Sequence, residues 1–444
     1  MLRRRQVVGI IIASLFICLC FTPQVRTLLS LPGYQKMVVG ESSQINLDLP
    51  GTLDKRIQMS VKGPSRSVFA SPQDLPVVIN KSITGYHILA LRPGEANIQI
   101  KLLGYIPLKS IKVQSVAPQR VVVGGHSIGV MLKSNGIMVV GFAPVILADG
   151  SKKYPARDEG MEIGDLIFKV NGKAVSSETD LAKCIDEAAG SNQKLTVQIK
   201  RHNKIVSLSI KPVHCSETQR HRIGLYVRDG VVGVGTMTFW DPDTRQYAAL
   251  GHIIIDTDTR QGIDVLRGKI VSASVQTVRR GRPGKPGEKI GVFNEKGTVD
   301  GNITKNTSSG IFGQTSGEVN NPLVPHLLEV GYAHQIHTGK AKIYTVVNGD
   351  DIEAFDIEIE KVYRDRQNGK GMVIRVTDPR LISITGGIVQ GMSGSPIVQE
   401  KRIVGAVTHV FLNDPERGYG IFMDNMLAQL PSLQNDAKKF STLY

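Results

Sequence analysis

A short turn near the C-terminus carries the residues best suited to covalent chemistry. Residues 391–396 read Gly-Met-Ser-Gly-Ser-Pro, so Ser393 lies between two glycines. Glycine permits the backbone angles of a tight turn, and its missing side chain lets a substrate carbonyl approach closely. The N–H groups of Gly391 and Ser393 can then point at one spot, as an oxyanion hole requires. Ser393 is therefore the candidate nucleophile, and the neighbouring Ser395 is expected to support the turn.

A serine hydroxyl needs a base that takes its proton and a third group that orients the base. Among ten histidines, His252 alone stands in a matching context, because it follows the run Ala-Ala-Leu-Gly and precedes three isoleucines. This pattern indicates the end of one buried strand and the start of another. A histidine between two apolar runs is a core residue or a catalytic base, and the candidate nucleophile downstream favours the base.

Two aspartates compete for the role of orienting acid. Asp378 stands in the run Val-Thr-Asp-Pro and lies 15 residues before Ser393. An aspartate before proline is also a common turn residue. Asp256 is close to His252 in sequence, but near neighbours on a strand or turn rarely face the same ring nitrogen. We therefore prefer Asp378, with Asp256 as the alternative.

The elements that must position these residues are predicted to be mainly strands. With 444 residues the chain is long enough for two or three domains. Hydrophobic residues make up 41%, and 46 glycines with many Val and Ile residues favour a mainly β protein with many turns. Residues 215–444 are the expected domain of Ser393 and His252. Short alternating runs in residues 31–117 predict a small β-sandwich.

Residues 118–214 carry a second pattern. Residues 160–167 read Gly-Met-Glu-Ile-Gly-Asp-Leu-Ile, a Val-Asn-Gly turn follows, and Glu178–Ala189 form an amphipathic helix that stops at a glycine. This combination resembles a PDZ domain of the type attached to bacterial proteases. Such a domain binds a peptide as an added strand, here beside Ile128–Leu132. Four residues are predicted to form the peptide-binding loop that holds the peptide carboxylate: Ser127, Ile128, Gly129 and Val130. A PDZ-like fold that only packs against the next domain is the alternative.

Residues 1–30 predict an export segment. Arg3, Arg4 and Arg5 precede Gln6–Val25, a stretch of 20 residues without a charge. This stretch is just long enough to span a bilayer, and no clear Ala-x-Ala cleavage site follows it. It indicates a signal peptide or a signal anchor, and we expect an export signal that begins as an N-in membrane anchor.

Charge and cysteine content exclude several classes of function. The net charge of +15 is spread along the chain, and its densest basic run, Arg279–Lys289, is rich in Gly and Pro. That run predicts an exposed loop, with attraction to an anionic membrane surface as the second interpretation. No aromatic residues interleave with the charges, so nucleic acid is not an expected partner. Cys184 and Cys215 are the only cysteines after the export segment, and no metal-ligand spacing appears, so we expect no metal and no cofactor.

Three runs together resemble the stage IV sporulation protein B peptidases of spore-forming Firmicutes. They are Ala-Leu-Gly-His ending at His252, Val-Thr-Asp-Pro around Asp378, and Gly-Ile-Val-Gln-Gly-Met-Ser-Gly-Ser-Pro-Ile-Val starting at Gly387. The resemblance implies a PDZ-containing serine endopeptidase with a chymotrypsin-like double β-barrel. It implies His252 as general base, Asp378 as its orienting partner and Ser393 as nucleophile.

The same resemblance implies a substrate pocket and a biological role. The strand Ile403–Phe411 would wall the pocket, so Thr408 and His409 are candidate pocket residues. The family implies export from the forespore to the space between two membranes, self-processing, and cleavage of the extracytoplasmic part of a membrane regulator. That cleavage would trigger activation of the late mother-cell sigma factor. The alternative is a non-catalytic PDZ adaptor or signalling scaffold with a protease-like domain.

Overall fold

A computed structural model gives the fold of residues 22, 26, 31, 33–45, 56–63, 75–82, 85–202, 204–256, 258–263, 265–364, 366 and 368–430. The predicted export segment falls outside these residues, apart from residues 22 and 26. Over the part that is described, no helix is both long and apolar enough to cross a membrane. The chain divides into two compact units, which meet in sequence between Gln119 and Arg120.

The first unit is built from two small sheets that share one core. One sheet has the order β1-β7-β6-β3 and the other β2-β5-β4. Alternate residues of both sheets are buried in the same cluster, which includes Met37, Ile88 and Ile98, as expected when one face of each strand points inward. The strands are β1 Tyr34–Val38, β2 Ser42–Ile45, β3 Ile57–Lys62, β4 Val77–Ser82, β5 Gly85–Ala90, β6 Gly94–Leu102 and β7 Ile106–Val116.

The second unit is also mainly β, so the predicted fold class is confirmed at that level. Its strands are β8 Arg120–Val123, β9 Ser127–Phe142, β10 Val145–Ile146, β11 Lys152–Lys153, β12 Leu166–Val170, β13 Lys173–Ala174, β14 Leu195–Arg201, β15 Lys204–Ile210, β16 Val213–Cys215, β17 Arg220–Arg222, β18 Leu225–Trp240, β19 Gln246–Ala249, β20 Val265–Arg279, β21 Glu288–Asn294, β22 Asp300–Asn302, β23 Lys305–Thr307, β24 Gly310–Gln314, β25 Leu328–Val330, β26 Gly339–Val346, β27 Ile352–Val362, β28 Met372–Val376, β29 Pro396–Gln399, β30 Arg402–Phe411 and β31 Asp414–Phe422. Its helices are α1 Pro155–Asp158, α2 Glu178–Gly190, α3 Pro379–Thr385 and α4 Met423–Leu427.

Six antiparallel strands close into the C-terminal barrel. The ring runs β26-β27-β28-β31-β30-β29 and returns from β29 to β26. Its interior is filled by apolar side chains such as Phe355, Ile374 and Val407, all at most 1% exposed. Closure leaves no free sheet edge, so this barrel is a rigid support for the loops that leave it.

A second ring, the N-terminal barrel, contains β9, β18, β19, β24, β22 and β20. Ladder pairings join all neighbours except β24 and β22, which meet at a bridge between Thr315 and Gly301. Its core includes Ile128, Met237 and Tyr247, each fully buried. His252 follows the end of β19, so this barrel positions the candidate base.

The PDZ-like part is inserted between two neighbouring strands of the N-terminal barrel. The strands β9 and β18 are long, and they pair with each other first in the barrel and again beyond it, where Leu225 faces Phe142. Between them lie α1, α2 and the strands β12 to β15. Side chains of these elements, such as Leu181 and Ile199, form a separate core together with Ile137 of β9.

The structure corrects the predicted peptide-binding loop at Ser127, Ile128, Gly129 and Val130. These residues open the barrel half of β9, which is hydrogen-bonded to β18 on one side and to β20 on the other. Ile128 is fully buried, and Ser127 and Val130 are only 4% exposed. Because strand addition needs an unpaired edge, no peptide can add beside Ile128–Leu132. The pairing partners come from residues 230–236 and 265–272, a non-local contact that the local pattern does not encode.

Candidate active site

The turn around Ser393 lies between α3 and β29, a strand of the C-terminal barrel, and it is closely packed. Gly391 and Gly394 both have φ of +94°, a conformation that favours glycine. A Cβ at position 394 would lie 2.0 Å from the Thr236 carbonyl oxygen and 2.4 Å from the Leu250 nitrogen. The glycines that marked this turn in the sequence are therefore required by both its backbone angles and its surroundings.

Strand β18 of the N-terminal barrel holds the turn from the other side. The Thr236 hydroxyl donates to the Gly391 carbonyl oxygen at 2.7 Å, and the Thr238 hydroxyl donates to that of Gly394 at 2.8 Å. The Thr236 N–H donates to the Ser393 carbonyl at 3.0 Å. Both threonine side chains are fully buried. Sequence reasoning did not identify them, although their i, i+2 spacing on a predicted strand places both on one face.

The two serines of the turn differ in access. Ser393 is half-buried, and its hydroxyl donates to the Thr408 carbonyl oxygen at 2.9 Å. Ser395 is fully buried; its N–H donates to the Met392 carbonyl, and its own carbonyl accepts from Val407. A substrate can therefore approach Ser393 and not Ser395, which supports the choice of Ser393 and the supporting role expected for Ser395.

Two backbone donors of the Ser393 turn have no acceptor among the described residues. The N–H groups of Met392, Gly394 and Ser395 all donate within the protein. Over the residues that the structure describes, the N–H groups of Gly391 and Ser393 take part in no such bond. Buried backbone donors are almost always satisfied, so two unused ones next to a nucleophile are suited to an oxyanion that forms during the reaction.

His252 is positioned by a tight turn after β19. Leu250 has φ of +68° and Gly251 has φ of +69°, so two successive left-handed residues turn the chain sharply before the histidine. The Nδ1 atom of His252 lies 2.9 Å from the Ile253 carbonyl oxygen. Since a carbonyl can only accept, Nδ1 carries the proton and the neutral ring keeps its lone pair on Nε2. Burial lowers the pKa of His252, and the Ile253 carbonyl partly opposes this by raising it.

Residues Thr408 and His409 of β30 bring the serine and the histidine together. The Ser393 hydroxyl bonds the Thr408 carbonyl, and a Cβ at Gly251 would lie 2.9 Å from the Thr408 methyl. The ring centroids of His252 and His409 are 5.1 Å apart. The Thr408 side chain is buried and donates to the Gly369 carbonyl at 2.9 Å, whereas His409 is exposed.

The environment of His409 disfavours its charged form. Desolvation lowers the pKa of His409 first, and repulsion from protonated His252 and from Lys370 lowers it further, to about 4. His409 is an exposed residue nonetheless, so water also reaches it. His409 is therefore a neutral, accessible ring beside the candidate base at neutral pH.

Among the described residues, the hydrogen bonds of Asp378 are made away from His252. Its carboxylate accepts from the N–H groups of Arg380 at 2.9 Å and Leu381 at 3.2 Å, which makes it the N-cap of α3. Its other oxygen accepts from the Asp356 N–H at 3.3 Å. These contacts are those of an aspartate before a helix-starting proline. The role of Asp378 as orienting acid stays a prediction.

The alternative acid, Asp256, is also engaged elsewhere. It is 1% exposed and accepts from the Arg228 guanidinium at 2.5 Å and from the N–H groups of Asp258 and Thr259 at 3.0 and 2.9 Å. These contacts hold the pKa of Asp256 below its usual value, although its burial raises it. Within the described residues the Ile253 carbonyl is the hydrogen-bond acceptor of the His252 ring, and no carboxylate bonds it.

One buried lysine near the turn was missed at the sequence level. Lys289 is the second residue of β21 and is 4% exposed, so it does not belong to the exposed basic loop predicted over Arg279–Lys289. Cys184 and Cys215 are both buried free thiols. Among the residues that the structure describes, no three or more His, Cys, Asp or Glu side chains are grouped so that they could hold a metal ion.

Comparisons with known protein families match two parts of the chain. The family model of the SpoIVB peptidase S55 matches residues 219–427, and that of the PDZ domain matches residues 127–211. The PDZ match begins in the barrel half of β9, so this strand is shared between the two domains. No curated protein sequence matches the chain.

The solved structures that are similar to parts of the chain are distant from it. The PDZ domain of the SdrC-like protein from Listeria monocytogenes is 22% identical, covers 21% of this chain and 90% of its own, and has a TM-score of 0.16. The active form of the Rv3671c protease from M. tuberculosis is 16% identical over 46% of this chain and 74% of its own, with a TM-score of 0.26. Deg5 is 17% identical over 46% of this chain and 85% of its own, with a TM-score of 0.29.

The two family matches carry the assignment. The peptidase model includes the part of the chain that holds both His252 and Ser393, and a PDZ domain precedes it. The chain therefore carries a PDZ domain and a SpoIVB peptidase S55 domain, and this combination matches a PDZ-containing serine peptidase of the SpoIVB type.

Proposed function

We propose that this serine peptidase is an endopeptidase in which Ser393 is the nucleophile and His252 the general base. One observation carries the proposal: the accessible Ser393 and the His252 ring both lie against Thr408–His409, and among the described residues Nε2 of His252 has no hydrogen-bond partner. The unused N–H groups of Gly391 and Ser393 supply the oxyanion hole. Thr408 and His409 are proposed to line the substrate pocket.

The proposed reaction follows from these positions. The Ser393 hydroxyl turns from the Thr408 carbonyl to Nε2 of His252, which takes its proton as the oxygen attacks the scissile carbonyl. The Gly391 and Ser393 N–H groups stabilise the oxyanion of the tetrahedral intermediate. His252 then gives the proton to the leaving amine, and an acyl-enzyme on Ser393 remains. Water, activated by the same histidine, attacks the ester and releases the second product.

Asp378 is retained as the proposed orienting partner of His252 because of its place in the family motif. For that contact the cap bonds of Asp378 to Arg380 and Leu381 must rearrange, so that its carboxylate moves to the His252 ring. Without such a movement the Ile253 carbonyl supplies the orientation of the ring. Asp256 is the alternative acid, although its bond to Arg228 would have to break.

The biological role is proposed from the family. The chain acts in sporulation, is exported from the forespore by its N-terminal segment, and is at first anchored in the membrane. It processes itself and cleaves the extracytoplasmic part of a membrane regulator, which triggers activation of the late mother-cell sigma factor. The PDZ domain binds a peptide ligand at a site other than the closed strand Ile128–Leu132.

A serine-directed fluorophosphonate tests the catalytic assignment with the full-length protein. We expect the probe to label the wild type and the Ser395→Ala variant, and to leave Ser393→Ala unlabelled. Self-cleavage should follow the same pattern. Ser395→Ala is a matched control because its hydroxyl is buried in the same turn and, among the described residues, has no hydrogen-bond partner. Equal labelling of wild type and Ser393→Ala would rule out Ser393 as the nucleophile.

The adaptor hypothesis makes the opposite prediction for the same experiment. A non-catalytic scaffold needs no unused N–H groups beside a serine and no free Nε2 on a neighbouring histidine. It would show neither labelling nor self-cleavage in any variant. The geometry at Ser393 and His252 is what favours the peptidase over the adaptor.

A further inference from the structure

A buried lysine lies directly behind the Ser393 turn. Lys289 donates its backbone N–H to the Gln390 carbonyl at 2.9 Å, and the Gln390 N–H donates to the Gly287 carbonyl at 2.8 Å. The start of β21 is thereby paired with the residue that precedes Gly391. Any shift of β21 moves the segment that carries one of the two oxyanion donors.

The stem of Lys289 packs against Gly391 itself. A Cβ at position 391 would lie between 3.0 and 3.2 Å from three carbon atoms of the lysine stem. The same residue is also held by Thr236, whose hydroxyl donates to the Gly391 carbonyl. Gly391 is therefore clamped by a lysine stem and a threonine hydroxyl, and this clamp fixes the direction of its N–H.

The end of the lysine side chain is fixed as well. Its Nζ donates to the Thr345 hydroxyl at 2.6 Å, and Thr345 is fully buried in β26 of the C-terminal barrel. Burial lowers the pKa of Lys289 to about 7, and no nearby charge contributes to this change. Burying a lysine without a counter-ion costs free energy. A functional role would explain why Lys289 is buried at this position.

Charged groups on the neighbouring elements are paired with each other and not with Lys289. Glu288, the preceding residue, binds Arg279 of β20, and Lys342 of β26 binds Asp356. Tyr344 on β26 is partly buried, and burial raises its pKa, so it stays neutral. The Thr345 hydroxyl is the hydrogen-bond partner that the described structure gives to the amine.

We propose that Lys289 is a positioning residue of the peptidase, which holds the Gly391 N–H in the oxyanion hole through its buried stem and its bond to Thr345. The inference rests on the proposed function, because it assigns an oxyanion hole to Gly391. Lys289 does not touch the substrate, and its effect on the reaction passes through Gly391.

The test measures the reaction of the full-length protein with a fluorophosphonate, in which phosphorus bonds to the Ser393 oxygen and fluoride leaves. Variants are Lys289→Ala, Lys289→Met and Thr345→Val, with Lys342→Met as the matched control, an exposed lysine on β26. The maximal labelling rate and the half-saturating probe concentration are determined separately. Thermal unfolding of each variant reports the purely structural effect.

We expect Lys289→Ala to lower the maximal labelling rate by more than about tenfold with little change in half-saturation, since oxyanion donors act in the transition state. Lys289→Met keeps the stem and loses the bond to Thr345, so its loss should be smaller. Thr345→Val should match Lys289→Met, and the double variant should lose no more than either, because both changes remove one bond.

Two results would overturn the inference. In the first, Lys289→Met and Thr345→Val have the same maximal labelling rate as Lys342→Met. Any loss of labelling rate in Lys289→Ala is then accompanied by a fall in its unfolding temperature. The other is a change confined to half-saturation. If Lys289→Ala does not fold, Lys289→Met and Thr345→Val decide the question. Failure of the proposed function is separate, since Ser393 would then go unlabelled in the wild type.

Discussion

At the scale of single residues, the protonation of His252 decides when the site can react. A general base must be neutral, and the neutral form of histidine prevails above its pKa. Burial holds the pKa of His252 below the ordinary value of 6.5, and the ring stays oriented by the Ile253 carbonyl. The peptidase should therefore remain active at mildly acidic pH, where an exposed histidine is already charged.

The pH dependence of Ser393 labelling checks this expectation. The rate should fall as the pH decreases through a midpoint below 6.5, because His252 becomes protonated there. His337→Gln is the control, since His337 is exposed and paired with Glu400; it should leave the midpoint unchanged. A midpoint above 6.5 would contradict the assigned environment of His252.

The residues that the sequence identified and those that it missed, such as Lys289, differ in what their positions depend on. Ser393 and the two glycines around it were identified because the turn is local and its glycines are needed for positive φ angles. Lys289 was misinterpreted because its neighbours are basic and flanked by Pro and Gly, as in an exposed loop. Its burial results from contacts with Gly391 and Thr345, which lie 102 and 56 residues away in sequence.

At the scale of elements, Asp378 has one role that the structure shows and one that is proposed. Its carboxylate caps α3, and this helix leads through Gly386 into the segment that carries Ser393. An N-cap replaced by alanine costs about 1 kcal/mol, whereas serine caps a helix nearly as well as aspartate. Asp378→Ser therefore separates the loss of the carboxylate from the loss of the cap.

We expect Asp378→Ala to lower the free energy of unfolding by about 1 kcal/mol and Asp378→Ser to change it little, as measured by denaturant unfolding. The proposed triad further expects labelling in Asp378→Ser to fall by several orders of magnitude, since the orienting acid would be gone. If the labelling rate of Asp378→Ser stays within a few-fold of the wild-type rate, Asp378 acts only as the N-cap of α3. Asp256→Asn, measured in parallel, would then test the alternative acid.

At the scale of the whole molecule, the PDZ-like part and the peptidase share two strands. The composition and alternation of the sequence predicted a mainly β chain, and this was confirmed. The motif that resembles a PDZ domain lies within residues 127–211, which match a PDZ model. What local patterns do not contain is the pairing of β9 with β20, which turns the predicted peptide-binding edge into the interior of a barrel.

The shared strands lead to a prediction about stability. Ile128 is fully buried in the core of the N-terminal barrel, so Ile128→Ala removes core volume and should cost about 2–5 kcal/mol. Because β9 and β18 run from this barrel into the PDZ-like part, both parts should lose stability together. The matched control is Ile205→Ala, at an isoleucine of β15 that is 69% exposed; it should change the free energy of unfolding by less than about 0.5 kcal/mol.

Hydrogen exchange measured by mass spectrometry on the full-length protein can follow both parts at once. In Ile128→Ala, the amides of β14 in the PDZ-like core and of β19 in the N-terminal barrel should both exchange faster than in the wild type and in Ile205→Ala. A peptide-groove residue would behave differently, because its loss would weaken ligand binding and leave the exchange of β19 unchanged. That second pattern would contradict the placement of Ile128 in the barrel. Joint acceleration would show that the PDZ-like insertion and the barrel that holds His252 are stabilised by the same strands, so that events at one can reach the other through β9 and β18.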